Sequence, residues 1–169
     1  MSGGPCLTAQ GLLATYTRLR AHLRFCAPYT AYCTAGTVRD ARELDAPGGG
    51  YGFRFFSPDG LPLEISADVK RLDKRAMERW EGMPVKISHI VLHSPDHHAM
   101  VTFFTDVLGF KVSDWLGDFM CFLRCNEAHH RIALLPGPPC LNHVAYDMLT
   151  VDDMMRGASR LKKRDCDIR

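Results

Sequence analysis

No apolar run approaches the roughly 20 residues needed to cross a bilayer, and Met1 to Gly11 lacks the basic start and apolar stretch of a secretory signal. A cytoplasmic protein with no membrane partner is expected. An excess of charge of one sign is also missing, since 21 Lys and Arg face 19 Asp and Glu and leave a formal charge of +2. That balance gives no electrostatic ground for nucleic-acid binding, and a small neutral or weakly acidic ligand fits better. The seven cysteines lack a framework: their number is odd, and Cys121 and Cys125 have no second pair at metal-finger spacing. Reduced, mostly buried thiols are expected. What the chain does have is apolar content, 46% of 169 residues, enough to build a real core.

Residues 1–36 offer only a loose apolar stripe, Leu12, Leu13, Tyr16, Leu19 and Leu23, for a helix over Thr8 to Phe25, and no function is assigned to them. After the Pro47 to Gly50 breaker, Tyr51, Phe53 and Phe55 alternate as in a strand. Ser57-Pro58-Asp59-Gly60 reads as a tight turn, so Gly52 to Ile65 is expected to be a hairpin within a unit spanning 37–69. Residues 70–85 are dense in charge and read as a connector ending at Gly82-Met83-Pro84.

A new unit, 86–169, then begins. Ile87 to Leu92 is almost unbroken apolar sequence, which predicts a strand buried on both faces. Asp96 can cap a helix whose apolar residues Met100, Phe103, Phe104, Val107 and Leu108 fall on one face, with Gly109 after its end. Strands are expected at Phe110–Val112, Phe119–Arg124 and His130–Leu135, before the Pro136 to Pro139 breaker. Leu141–Asp147 then reads as a strand, and Val151–Lys163 as a helix that Thr150 and Asp153 open. The fold class is α+β, with tandem βαβββ modules of which the second stops after its first strand and helix. The sequence suggests truncation, or completion from elsewhere, and the sheet edge beside Leu141–Asp147 left unpaired predicts a homo-oligomer.

Each half of this repeat places one histidine in its first strand, His89 in Ile-Ser-His-Ile-Val and His143 in Leu-Asn-His-Val-Ala. A lone histidine on an apolar strand is more often a satisfied core residue than a ligand. Matching positions in duplicated strands favour the ligand reading, because two neutral imidazoles and one carboxylate would form a facial site with open positions, most often for Fe(II).

Four stretches carry a resemblance: Ile87 to Val91, Phe104-Thr105-Asp106-Val107-Leu108-Gly109-Phe110, Asn126 to Leu134, and Leu141 to Ala145. In order and spacing they resemble consecutive motifs of the extradiol, ring-cleaving catechol dioxygenases, including the dihydroxybiphenyl-cleaving ones, of the vicinal oxygen chelate (glyoxalase and bleomycin resistance) superfamily. The helix motif is shared across that superfamily. The His-His-x-Ile-Ala-Leu strand at His129 to Leu134 belongs more to the ring-cleaving branch. Residues 37–68 more weakly resemble the last hairpin of that family's noncatalytic N-terminal domain.

The resemblance implies Fe(II) held by His89 and His143, with His130 as an acid/base beside the ion, and a catechol and O2 as co-substrates. The family's third ligand is a glutamate late in the second module, beyond the last residue here. Glu64 occupies the analogous place in the preceding hairpin, where some superfamily members carry a ligand glutamate. Asp147 lies four residues along the strand from His143, about 13 Å, too far to share its ion. His93, His97 and His98 are expected at the surface or at a pocket rim. Two other functions stay open: a noncatalytic module that binds a small aromatic molecule, and a glyoxalase-type metal-dependent lyase or isomerase.

Overall fold

In a computed structural model the described residues are 41–45, 47–70, 73, 75–78 and 80–167. The helix read over Thr8 to Phe25 lies outside them. β1 (Arg42–Glu43), β2 (Tyr51–Phe56) and β3 (Pro62–Ala67) form a small antiparallel sheet in that order. The β2–β3 turn is the expected one: the Gly60 amide donates to the Ser57 carbonyl at 2.9 Å, and Gly60 takes the φ of 79° that a side chain would oppose.

The larger sheet contains β4 (Lys86–Ser94), β5 (Lys111–Leu116), β6 (Met120–Arg124), β7 (Ile132–Pro136) and β8 (Cys140–Asp147), in the order β5-β6-β7-β4-β8. β4 and β7 are parallel, with α1 (His97–Thr102), β5 and β6 lying between them in the chain, so residues 86–136 form one βαβββ module. β8 pairs antiparallel with β4, and α2 (Val151–Lys162) follows it. Thr150 caps α2 by accepting the Asp153 amide at 3.1 Å.

The first helix departs from the reading of one continuous α-helix to Leu108. After Thr102 it widens into a π-helical segment, Phe103–Val107, in which the Leu108 amide reaches back five residues to Phe103. The hydroxyls of Thr102 and Thr105 donate to the carbonyls of His98 and Thr102 and compete with the regular ladder. The wider turn still buries Phe103, Phe104 and Val107 together.

The pleat separates two faces. Leu92, Cys121, Leu123, Ile132 and Leu134 point to the helix side and join Met100, Phe103, Phe104 and Val107, together with Phe53, Phe55 and Ala67 of the small sheet, in one core. The hairpin thus packs on the helix of the module rather than standing apart. On the opposite face a smaller cluster, Val91, Ala133 and Leu135 with Met120 and Phe122, leaves the rest of the sheet open.

This openness corrects the expectation for β4. The strand is not buried on both faces along its length: Val91 is 1% exposed, but Ile87 is 58% exposed because no layer covers that end. Cysteine burial departs from the expectation among the described cysteines, while Cys6, Cys26 and Cys33 lie outside the described residues. The four described cysteines are free, but only Cys121 is buried, its thiol pushed up to about 11 by desolvation, whereas Cys125, Cys140 and Cys166 are exposed. Among the described residues no helix is long and apolar enough to cross a membrane.

Candidate metal centre

Three imidazoles meet on the open face. The register pairs Val91 with His143 and His89 with Ala145, which puts His89 and His143 diagonally across neighbouring strands on one side of the sheet. Their ring centroids lie 5.5 Å apart at 73°, an arrangement in which one edge of each ring can face a shared ion. His130 joins them with its centroid 4.3 Å from that of His89. It sits two residues ahead of β7 rather than inside it, in the loop after β6.

Local pairing fixes that loop. The Arg131 amide donates to the Leu123 carbonyl at 2.8 Å, its carbonyl receives the Ile90 amide at 3.0 Å, and its guanidinium donates to the Ser88 carbonyl at 2.7 Å. Asn126 Oδ1 accepts from the Ala128 amide and from the Arg131 guanidinium, closing the turn. His130 is left against Phe122 at 5.0 Å and hydrogen-bonded, Nδ1 to Nδ1, with His129 at 3.0 Å.

β4 and β8 each carry an irregularity beside a site histidine. Ser88 is the extra residue on β4 between the Ile87 and His89 pairs, and Asn142 the extra residue on β8 between the His143 and Leu141 pairs. Bulges of this kind re-aim side chains next to functional sites.

The pKa of His130 is depressed by burial first and then by the neighbouring His89, His129 and Arg131. That of His89 is depressed by burial and by His143 and Arg131, against an opposing pull from Asp147. Neutral rings are what an ion requires of its ligands. The sign of the linkage follows. Both folded values lie below the ordinary imidazole value of about 6.5, so the unfolded chain binds more protons in that window and stability is lost as pH falls through it. Metal-free protein is expected to melt at progressively lower temperature as the pH drops from about 7.5 to about 5. A variant with both His89 and His130 replaced by glutamine is expected to show a shallower decline, and equal slopes for the two proteins would refute the assignment.

Asp147 keeps its strand-end role. Its carboxyl is held below the usual range by the Ser88 hydroxyl and by Lys86, whose Nζ stands 3.3 Å away. Glu64 requires a correction: its carboxylate lies on β3 in the small sheet, where it accepts from Arg54 Nε at 2.7 Å, and it is not brought to His89 and His143. Among the described residues no three His, Cys, Asp or Glu side chains form a complete ligand set. The donors present therefore fit a divalent transition metal in part, as two imidazoles that lack their carboxylate.

Of the other described histidines, only His97 departs from the surface or pocket-rim placement expected from sequence: His98 is exposed, and His93 lines a small cavity with Asp59, Leu92 and Cys140. His97 is 9% exposed and its Nε2 is 2.9 Å from the Asp118 carbonyl oxygen. His98 stacks on Trp115 at 5.1 Å. His93 is half-buried between the Pro136 carbonyl and the Asn142 side chain. Sequence reasoning missed this role, although His93 stands four residues after His89 and a strand's period puts both on one face.

Comparison with known proteins places the fold. The family model described as Glyoxalase/Bleomycin resistance protein/Dioxygenase superfamily matches residues 86–169. A structure of a Mn(II)-bound glyoxalase from Novosphingobium aromaticivorans superposes with a TM-score of 0.81 at 63% identity, covering 95% of this chain and 50% of that one. The biphenyl-2,3-diol 1,2-dioxygenase of Paraburkholderia xenovorans is 31% identical over 116 residues, 59% of this chain and 39% of that protein. A homoprotocatechuate 2,3-dioxygenase structure from Arthrobacter globiformis shares the fold with a TM-score of 0.63 at 23% identity, over 75% of this chain and 42% of that one. The chain thus spans half or less of the length of each of these relatives.

Proposed function

Because residues 86–169 form a domain of the Glyoxalase/Bleomycin resistance protein/Dioxygenase superfamily, we propose that the protein is an extradiol dioxygenase, dependent on Fe(II), that opens a catechol ring beside its diol with O2. The observation that carries this reading is the convergence of His89, His143 and His130 on one open sheet face. Its relatives named biphenyl-2,3-diol 1,2-dioxygenase support the substrate class.

His89 and His143 would hold the ion, which when bound supplies open positions for both catechol oxygens and for O2. Among the described residues no carboxylate completes the facial set with these two histidines. The reaction balances without an outside reductant: the diol supplies the electrons, one ring carbon–carbon bond breaks and both oxygen atoms enter the product.

His130 is the proton handler. A neutral ring at this position can take a proton from the substrate's second hydroxyl and return it to an oxygen of the product, because its depressed pKa keeps it unprotonated near neutrality. Phe122, packed against it at 5.0 Å, gives the substrate ring an apolar wall and keeps water from that side. His130→Ala is expected to retain iron while turnover falls by about 10²–10⁴-fold. Iron content and O2 uptake are measured on one anaerobically loaded sample, and iron lost together with activity would make His130 a ligand instead.

The Mn(II)-bound glyoxalase at 63% identity favours a second reading, a glyoxalase-type lyase or isomerase. One experiment separates the two. Protein purified without oxygen and loaded with Fe(II) or Mn(II) is given 2,3-dihydroxybiphenyl with O2, or a glutathione hemithioacetal without it. O2 uptake with a yellow ring-fission product supports the dioxygenase; turnover of the hemithioacetal alone sinks it.

A further inference from the structure

We propose that His93, acting through Asn142, fixes the tautomer of His143 so that the Nε2 lone pair of His143 faces the ion, an inference that rests on the metal reading above. Three contacts form a chain. His93 Nδ1 lies 3.0 Å from the Pro136 carbonyl oxygen, Asn142 Nδ2 lies 2.7 Å from His93 Nε2, and His143 Nδ1 lies 2.7 Å from Asn142 Oδ1.

The proton positions follow from one end. A backbone carbonyl can only accept, so His93 Nδ1 must carry a hydrogen. A neutral imidazole has one such hydrogen, so His93 Nε2 accepts. The group that faces it on Asn142 must then be the amide NH2, which turns Oδ1 toward His143. His143 Nδ1 therefore donates, and its Nε2 is left bare. Ligand histidines are commonly held in one tautomer by a partner on the other nitrogen. Here the choice is made two side chains away, at a carbonyl that cannot reverse its role.

The backbone is shaped for the relay. Asn142 is the extra residue of the β8 bulge, between Val91↔His143 and Leu92↔Leu141, and so sits where its side chain can serve both histidines. On the far side of His93, Gly137 has a φ of 153°, and a Cβ there would stand 2.6 Å from His93 Nδ1. Only glycine lets the chain pass so close while the Gly137 amide donates to the Ser94 carbonyl at 3.0 Å. Without His93 the Asn142 amide is free to turn over, offer NH2 to His143 and select the tautomer whose Nε2 is blocked by hydrogen.

The test reads tautomers and affinity separately. In metal-free protein with 15N-labelled histidine, long-range proton–nitrogen NMR is expected to show His143 protonated at Nδ1. Asn142→Leu and His93→Phe are expected to mix or reverse that tautomer and to weaken Mn(II) binding, followed by electron paramagnetic resonance, by about 10–100-fold. Asn142→Asp keeps an acceptor for His143 and is expected to preserve both its tautomer and, within a few fold, the affinity. A merely structural role would not separate Asp from Leu at this position. An unchanged tautomer in Asn142→Leu, or an unchanged affinity despite a changed tautomer, overturns the relay. Parent protein with the predicted tautomer and no Mn(II) or Fe(II) binding overturns the metal reading itself, and the relay's purpose with it.

Discussion

His89→Ala is expected to weaken Fe(II) or Mn(II) binding by at least about 100-fold and to abolish ring cleavage, with the fold intact. Loss of a residue that only supports a ligand typically costs 10–100-fold in affinity, so loss of the ligand itself sets that range as a floor. Only His143 would then remain of the two imidazoles that face each other at 5.5 Å. The fold should survive, because His89 is half-buried on the open face while the helix-side core is formed by other residues. Anaerobic ion titration and the melting temperature of the metal-free variant check both halves of the expectation. A variant that binds the ion as tightly as the parent would remove His89 from the site.

Leu134→Ala is expected to cost about 2–5 kcal/mol, the range for truncating a fully buried leucine whose cavity cannot collapse. Leu134 is 0% exposed in the middle of β7, between Cys121 of β6 and Leu92 of β4. It packs in the core that joins the hairpin, the helix and the sheet. Against a total stability of about 5–15 kcal/mol, that loss is large. Ile87→Ala, at a site 58% exposed, is expected to change stability by less than about 0.5 kcal/mol. Urea unfolding of the three proteins provides the comparison, and equal midpoints for Leu134→Ala and the parent would show that this core is not what holds the sheet.

The module was legible in the sequence because its periods were strong. Met100, Phe103, Phe104 and Val107 lie on one helical face, Thr150 caps α2, and the Ser57 to Gly60 turn forms as its residue types require. His89 and His143 were legible for a different reason, their matching places in two first strands, and adjacent pairing brings them together. What stayed hidden depends on register. The bulges at Ser88 and Asn142 shift the pairing by one residue, and no periodicity in the sequence announces such a shift. The contacts that run from Pro136 to His143 pass through Asn142, the residue that the second bulge adds. Glu64 misled because analogy gave it a place but not a neighbour: Arg54 lies directly across the β2–β3 pair and takes its charge.

Strand order also has a kinetic meaning. The β2–β3 and β5–β6 pairs join stretches close in sequence and can close early, whereas β4 pairs with β7 across about 40 residues and with β8 across about 50. His89, His130 and His143 belong to β4, to the approach to β7 and to β8, so the site comes into being only with the slow, long-range contacts. A partly folded chain holding just its hairpins has scattered imidazoles and no reason to retain an ion. Ion capture at the proposed site would therefore report completed topology, and by mass action a bound ion would hold shut the last closures the chain makes.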